Sequence, residues 1–256
     1  MAISEFKNKN NQLFIGLDIS LNHSGLVVLG KDTTVVDWFY LTVERTRFLS
    51  TKEQKVHGFL LEKYNPNIHK SKEVYDEIRK NAHIDFLREV LLNKLGLVTM
   101  KQRENTYIAI EQYAWAGISG SKYQIGELGG CIKHKLFEMG FKMRYVAPTS
   151  LKVWVGKGNY KKRDIVEQAV KLGFTVPLDV RLILEKKNGD YDGVGTDLAD
   201  AFFLARLVRA EVLFRSGDIQ LSDLPGRQSE VLLKTVFEHP SKAPKDSFLR
   251  PYVEKV

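Results

Sequence analysis

Apolar residues in the first part of the chain fall into three short runs divided by turn-forming clusters. Leu13–Asp18, Gly25–Leu29 and Thr34–Thr42 are rich in Ile, Val, Leu or aromatics, and Asn22-His23-Ser24 and Gly30-Lys31-Asp32 separate them as turns. Gaps this short allow only antiparallel hairpins, because a parallel crossover takes roughly a dozen residues or more. The pattern then changes. Residues 44–105 are more polar, and within Lys72–Leu95 the positions Val74, Ile78, Ala82, Phe86, Leu87, Val90, Leu91 and Leu95 recur at near-helical spacing. Residues 50–70 have no clear period, and Pro66 predicts a loop there. A strand is predicted at Thr106–Glu111, then a helix from about Lys122 to Met139 closed by Gly140, then a strand at Phe141–Val146 stopped by Pro148. Helices follow over Ser150–Val155, Lys162–Leu172 and Asp197 to about Phe214. Residues 216–256 carry Pro225, Pro240, Pro244 and Pro251 and read as an irregular extension with one short helix near Glu230–Phe237. There is no internal repeat or low-complexity tract.

This order predicts an α/β fold: a mixed five-stranded sheet flanked by helices, with a mostly helical insertion at 44–105 and a C-terminal extension at 216–256. The first three strands form an antiparallel meander, and the later ones return in parallel through helical crossovers. At 256 residues, 43% of them hydrophobic, the chain suits one large domain with insertions. Such a domain buries roughly 70–75% of its unfolded surface and needs no disulfide or structural metal. Cys131 is the only cysteine, which excludes a disulfide framework and any multi-cysteine zinc site; it reads as a small buried side chain. No apolar run is long enough to span a bilayer, and the opening MAISEFKNKNNQLF lacks the apolar core of a secretory signal. The default compartment is a reducing cytoplasm. The formal charge of +8 favours a polyanionic partner, but it becomes informative only where basic residues cluster near chemistry.

Four acids carry that chemistry. Asp18 ends the apolar run Leu13-Phe14-Ile15-Gly16-Leu17, and Glu111 ends Tyr107-Ile108-Ala109-Ile110. A charge at the carboxyl end of a buried strand sits where open sheets place their ligands. If the two strands are parallel neighbours, their axes lie roughly 4.8 Å apart, and both carboxylates can reach one divalent ion or bridge a pair. Hard oxygen donors select Mg²⁺ or Mn²⁺ over zinc. Asp197 and Asp200 are three residues apart at a helix start, on one face, where like charges repel unless a cation intervenes. Singly, each acid has a plainer reading: Asp18 as a turn former, Glu111 as an exposed strand end, Asp197 and Asp200 as helix-capping residues. The joint arrangement, two strand-end acids and then a paired acid on a late helix, is harder to explain in that way.

These residues resemble those of a known family. Ile15-Gly16-Leu17-Asp18 followed by Ser-Gly, then Ala109-Ile110-Glu111-Gln112, then Asp197-Leu198-Ala199-Asp200-Ala201, resemble the RuvC Holliday-junction resolvases, of bacterial or bacteriophage type. Residues 122–139, with Gly126, Gly129 and Gly130, look like the family's long central helix, and Pro148–Lys152 through Gly156-Lys157-Gly158 to Lys161-Lys162 resembles its basic DNA-contacting stretch. The match covers residues 12–30 and 106–210. The resemblance implies a ribonuclease H-like nuclease domain over 12–215, a homodimer, two Mg²⁺ ions per site (Mn²⁺ may substitute) and symmetric cleavage of four-way DNA junctions in recombination and repair. Carried over, Asp18, Glu111, Asp197 and Asp200 become the metal ligands, and Lys152 and Lys162 approach the scissile phosphate, with Lys162 counted among the catalytic residues. Family members insert an aromatic just after the Glu-Gln pair. The equivalent position here is Ala114, flanked by Tyr113 and Trp115, either of which could substitute.

The candidate DNA contacts are Tyr113, Trp115, Lys122, Lys152, Lys157, Lys161, Lys162 and Arg163. Lysines with Gly156 and Gly158 between them let backbone and ammonium groups approach a phosphate strand; in isolation the same stretch would read as a solvated loop and helix start. Neither this stretch nor Gly117–Lys122 has the spacing of a nucleotide P-loop. Glycines inside a helix each cost about 1 kcal/mol relative to Ala, so Gly126, Gly129 and Gly130 predict a close approach, by packing on the sheet or at a dimer seam. The six histidines show no metal-ligand pairing and read as surface or core residues, although His23 lies near Asp18. Three other functions compete with a junction resolvase. A non-catalytic branched-DNA-binding module would need the four acids only as caps, and a flap- or fork-processing nuclease of the same superfamily would keep all four. A sugar-kinase or actin-like ATPase would need a second glycine-rich Asp motif in a duplicated domain, for which this length leaves little room.

Overall fold

A computed structural model describes residues 12–42, 57–61, 64–112, 120–174, 184–185 and 187–236. Strands β1 (Leu13–Ile19), β2 (His23–Leu29) and β3 (Val35–Thr42) form the expected meander, with Leu17 opposite Leu26 and Val27 opposite Trp38. The insertion adds β4 (Gly58–Leu60), parallel to β3 at Tyr40–Thr42. Six strands therefore stand where five were expected. A three-residue strand is too short to show an alternation, and it borrows its backbone partners from β3.

Helix α1 (Lys72–Arg88) opens on Ser71, whose side chain accepts from the Val74 amide, and runs on as a π-helical turn over Glu89–Lys94. The predicted helix to Leu95 thus forms with its last turn widened, the Leu95 amide reaching the Val90 carbonyl. A short α2 (Met100–Glu104) leads to β5 (Thr106–Glu111), then α3 (Gly120–Glu138), β6 (Lys142–Val146), α4 (Pro148–Val155) and α5 (Lys162–Lys171). A small hairpin, β7 (Leu184–Glu185) with β8 (Tyr191–Asp192), precedes the 23-residue α6 (Val194–Ser216), and α7 (Gln228–Val236) closes the described chain.

The main sheet runs β4-β3-β2-β1-β5-β6, with β5 parallel to both β1 and β6. This mixed sheet flanked by helices is the ribonuclease H-like architecture that the resemblance implies. Strand alternation sorts the core into two layers. Leu13, Ile15, Leu17, Leu26, Val28, Ile108 and Ile110 pack under Phe86, Leu87, Val90, Leu91, Leu128 and Leu136. Phe14, Val27, Leu29, Tyr40 and Ala109 pack on the other side, against α4, α5, α6 and α7. β1 is buried along its whole length.

On that second face the sheet is stripped to backbone beneath α6. A Cβ on Gly16 would lie 1.7 Å from the Ala201 carbonyl oxygen, and one on Gly25 would lie 2.7 Å from the main chain of Asp197 and Leu198. Ala199, Ala201 and Ala205 on α6 are fully buried, so helix and strands meet at the closest distance a main chain allows. Of the glycines of α3 for which a close approach is predicted, Gly126 and Gly130 make none within this chain, since Cβ atoms there would meet no neighbour within 4 Å, while Gly129 is buried. Those two sit on outward-turned positions of α3. Cys131 is half-buried, short of the full burial expected. Among the described residues no helix is long and apolar enough to cross a membrane.

Candidate active site

The parallel pairing of β1 and β5 brings two acids together. Leu17 lies opposite Ile110, so Asp18 and Glu111 emerge side by side at the carboxyl ends of their strands. Glu111 comes near enough to hydrogen-bond the Asp18 side chain. α6 supplies the other pair. Gly193, at φ 91°, turns the chain out of β8 into the helix, so that Asp197 falls in the first turn and Asp200 one turn on. Thr196 caps the turn, its hydroxyl donating to the Gly193 carbonyl at 2.7 Å. Because α6 rests on Gly16 and Gly25, its acids lie directly over the end of β1, and Gly25 is itself the residue paired with Asp18.

Lys162, at the start of α5, completes the cluster. Its ammonium is hydrogen-bonded to Asp200 Oδ2 and lies 3.9 Å from both Asp18 Oδ2 and Asp197 Oδ1. Burial would lower this ammonium's pKa, but Asp200, Asp18 and Asp197 outweigh it and raise it well above the usual lysine range. Asp18, Glu111 and Asp197 are raised as well. Burial pushes Asp18 well above the ordinary carboxylate range; Asp197 and Asp200 add to the rise, while Lys162 and the Glu111 hydrogen bond oppose it. Glu111 is raised strongly by burial and by the charges of Asp18 and Asp200, against the pull of Lys162 and Lys152. Asp197 is raised to about 7, chiefly by burial, with Lys162 opposing and Asp200, Asp192 and Glu111 adding to it.

The sequence-predicted residues divide into four groups. Asp18, Glu111, Asp197, Asp200 and Lys162 come together, and Lys152 on α4 is near enough for its charge to act on Glu111. Lys157 and Lys161 are exposed on the connection from α4 to α5, and Lys122 lies in the first turn of α3. Arg163 is committed elsewhere: its Nε donates to Glu167 Oε1 at 3.0 Å and its guanidinium lies over the Tyr191 ring at 5.4 Å. Tyr113, Ala114 and Trp115 lie outside the described residues. Three residues near the site were not counted among its residues from the sequence: His23, whose Nδ1 is 3.9 Å from Asp197 Oδ2, Asp192, which pushes Asp197 upward, and His83, whose Nε2 meets the Ser20 carbonyl at 3.1 Å. Only His23 carried a signal, its closeness to Asp18 along the chain.

The donor set fits a hard divalent cation. All four acids offer oxygen, as Mg²⁺ and Mn²⁺ prefer, and Asp197, only 7% exposed, has an Oδ2 with no hydrogen-bond partner among the described residues. As the side chains stand, no three acidic, histidine or cysteine groups among the described residues converge closely enough to chelate an ion. The ammonium of Lys162 lies between three of the four carboxylates instead.

Fold and site together describe a ribonuclease H-like domain with an acidic centre at the carboxyl ends of two parallel strands. The chain is similar in structure to RuvC from Thermus thermophilus, with a TM-score of 0.44 and 16% identity over 80% of this chain and 96% of that one. It is also similar to the structure described as T. thermophilus RuvC in complex with Holliday junction substrate, with a TM-score of 0.45 and 15% identity over the same shares. No protein-family model matches the sequence, and no curated protein does.

Proposed function

We propose that this chain is a Mg²⁺-dependent, structure-selective DNA endonuclease that resolves four-way junctions by paired, symmetric nicks, working as a homodimer, with Mn²⁺ able to replace Mg²⁺. The observation that carries the reading is Asp197, buried near Asp18, Asp200 and Glu111 with a carboxylate oxygen that has no hydrogen-bond partner among the described residues. Burying like charges is costly unless a cation compensates them. Lys162 offsets one of up to four negative charges, which leaves room for divalent ions.

Asp18, Glu111, Asp197 and Asp200 would hold those ions. Bound there, they supply a water of lowered pKa and a Lewis acid for the phosphoryl and leaving oxygens. The chain's own groups do the rest. Lys162 projects its ammonium into the cluster from the first turn of α5, a helix end that favours anions, and so can hold a non-bridging phosphate oxygen. Lys152 also offsets the charge of Glu111. Lys157 and Lys161, exposed between α4 and α5, suit salt-sensitive contacts with the phosphate backbone. The choice of a four-way junction rests on the motif resemblance over residues 12–30 and 106–210.

The test is a cleavage panel of synthetic four-way junction, flap and linear duplex with Mg²⁺ or Mn²⁺. The expected outcome is symmetric nicking of the junction, abolished by Asp18→Asn or Glu111→Gln while binding persists. Binding of junctions without any cutting would favour a non-catalytic module. Equal cutting of flaps and duplex would keep the nuclease and remove the resolvase.

A further inference from the structure

The turn between β1 and β2 brings His23 back to the carboxylates. Its backbone is held firmly: the Ser20 amide and hydroxyl both donate to the His23 carbonyl at 2.8 Å, and the His23 amide donates to Ser20 Oγ at 3.0 Å. His23 and Gly25 share one face of β2 by strand alternation, and Gly25 is the residue pressed against Asp197. The imidazole, 22% exposed, presents Nδ1 at 3.9 Å from Asp197 Oδ2, the oxygen without a hydrogen-bond partner among the described residues. That separation is too long for a hydrogen bond. It is within the span of two donors on one ion, since atoms held by bonds of roughly 2.1 Å lie at most about 4.2 Å apart.

Resting on the reading of the four carboxylates as a cation centre, we propose that His23 is a fifth ligand of that centre, sharing with Asp197 the ion nearest the start of α6. The consequence is one of metal choice. An imidazole nitrogen is a softer donor than carboxylate oxygen, and Mg²⁺ holds to oxygen. A mixed nitrogen and oxygen set moves the preference from Mg²⁺ toward Mn²⁺.

The experiment loads the full-length chain with Mn²⁺ alone and records pulsed electron paramagnetic resonance, in which a directly bound imidazole imprints a nitrogen modulation on the manganese echo. Wild type is expected to show it. His23→Ala and His23→Gln should lose it while still binding Mn²⁺, with affinity weakened about ten-fold or more, by comparison with the losses seen when partners of metal ligands are removed. The ratio of Mn²⁺ to Mg²⁺ affinity should fall with it. His57→Ala, at the β3–β4 margin of the sheet, should keep the signal. Mn²⁺ bound to wild type without nitrogen modulation, or modulation surviving in both His23 variants, overturns the assignment and leaves the carboxylate centre intact. No binding of Mn²⁺ or Mg²⁺ at all removes the centre and the assignment together.

Discussion

Arg144 on β6 and Glu211 on α6 meet in a two-point ion pair inside the protein, Nε to Oε2 at 2.8 Å and Nη2 to Oε1 at 2.5 Å. Glu211 is fully buried and takes a further hydrogen bond from Arg215 Nε at 3.0 Å. Removing one partner of a buried pair strands the other, at a cost of about 3–5 kcal/mol. Glu211→Gln or Arg144→Met is therefore expected to lower urea stability by that order. The double replacement Arg144→Met with Glu211→Leu should lose less than either single change, and a double-mutant cycle from equilibrium unfolding measures the difference.

Gly16→Ala should be the more severe of two glycine changes. Its Cβ would overlap the Ala201 carbonyl, and backbone cannot rotate away as a side chain does. The loss should exceed the roughly 1–3 kcal/mol of ordinary overpacking. Gly25→Ala should cost less, because its contacts begin at 2.7 Å, yet it should displace the start of α6. Thermal melts rank the two, and the stabilising effect of added Mg²⁺ on Gly25→Ala checks the displacement.

Asp197 gives the metal-free protein a pH dependence of definite sign. Its carboxyl is raised from 3.8 to about 7, first by burial, so the folded state holds the proton more tightly than the unfolded state does. That contribution to stability is complete below the unfolded value and is lost as pH rises through about 7. In chelator, Asp197→Asn should therefore melt higher than wild type at about pH 8, with the gap closing by about pH 5. A gap of the opposite sign at the higher pH would refute the cost of burying this charge.

Lys162→Met separates the roles of ammonium and ion. Without the ammonium, Asp18, Asp197 and Asp200 lose the positive charge that lies among them. The variant should melt lower than wild type in chelator and gain more than wild type on addition of Mg²⁺, because ammonium and ion act on the same oxygens. Titration calorimetry should show tighter Mg²⁺ binding together with loss of cleavage.

The acids were legible in the sequence because each stands at the end of a pattern. Asp18 and Glu111 interrupt strand-like apolar runs, and Asp197 and Asp200 share a helix face. The strands of the meander, β5 and the helix carrying the aspartates were legible for the same reason. β4 was not, since Gly58–Leu60 is too short to have a period and depends on β3 for its partners. Arg144 and Glu211 were not either: 67 residues apart, each reads alone as a solvated charge, and only the packing of α6 across the sheet brings them together. The close approach of Gly16 and Gly25 to α6 was not legible either, because a glycine in a strand does not say which element will press on it.

The seat of α6 on those two glycines has a mechanical consequence. A side chain wedged between helix and sheet could change rotamer and let the gap widen or narrow. Main chain against main chain has no such freedom. The interval between the strand acid and the helix acids is thus set by peptide geometry, and it should hold through most substitutions in the surrounding core and through warming until the domain itself melts.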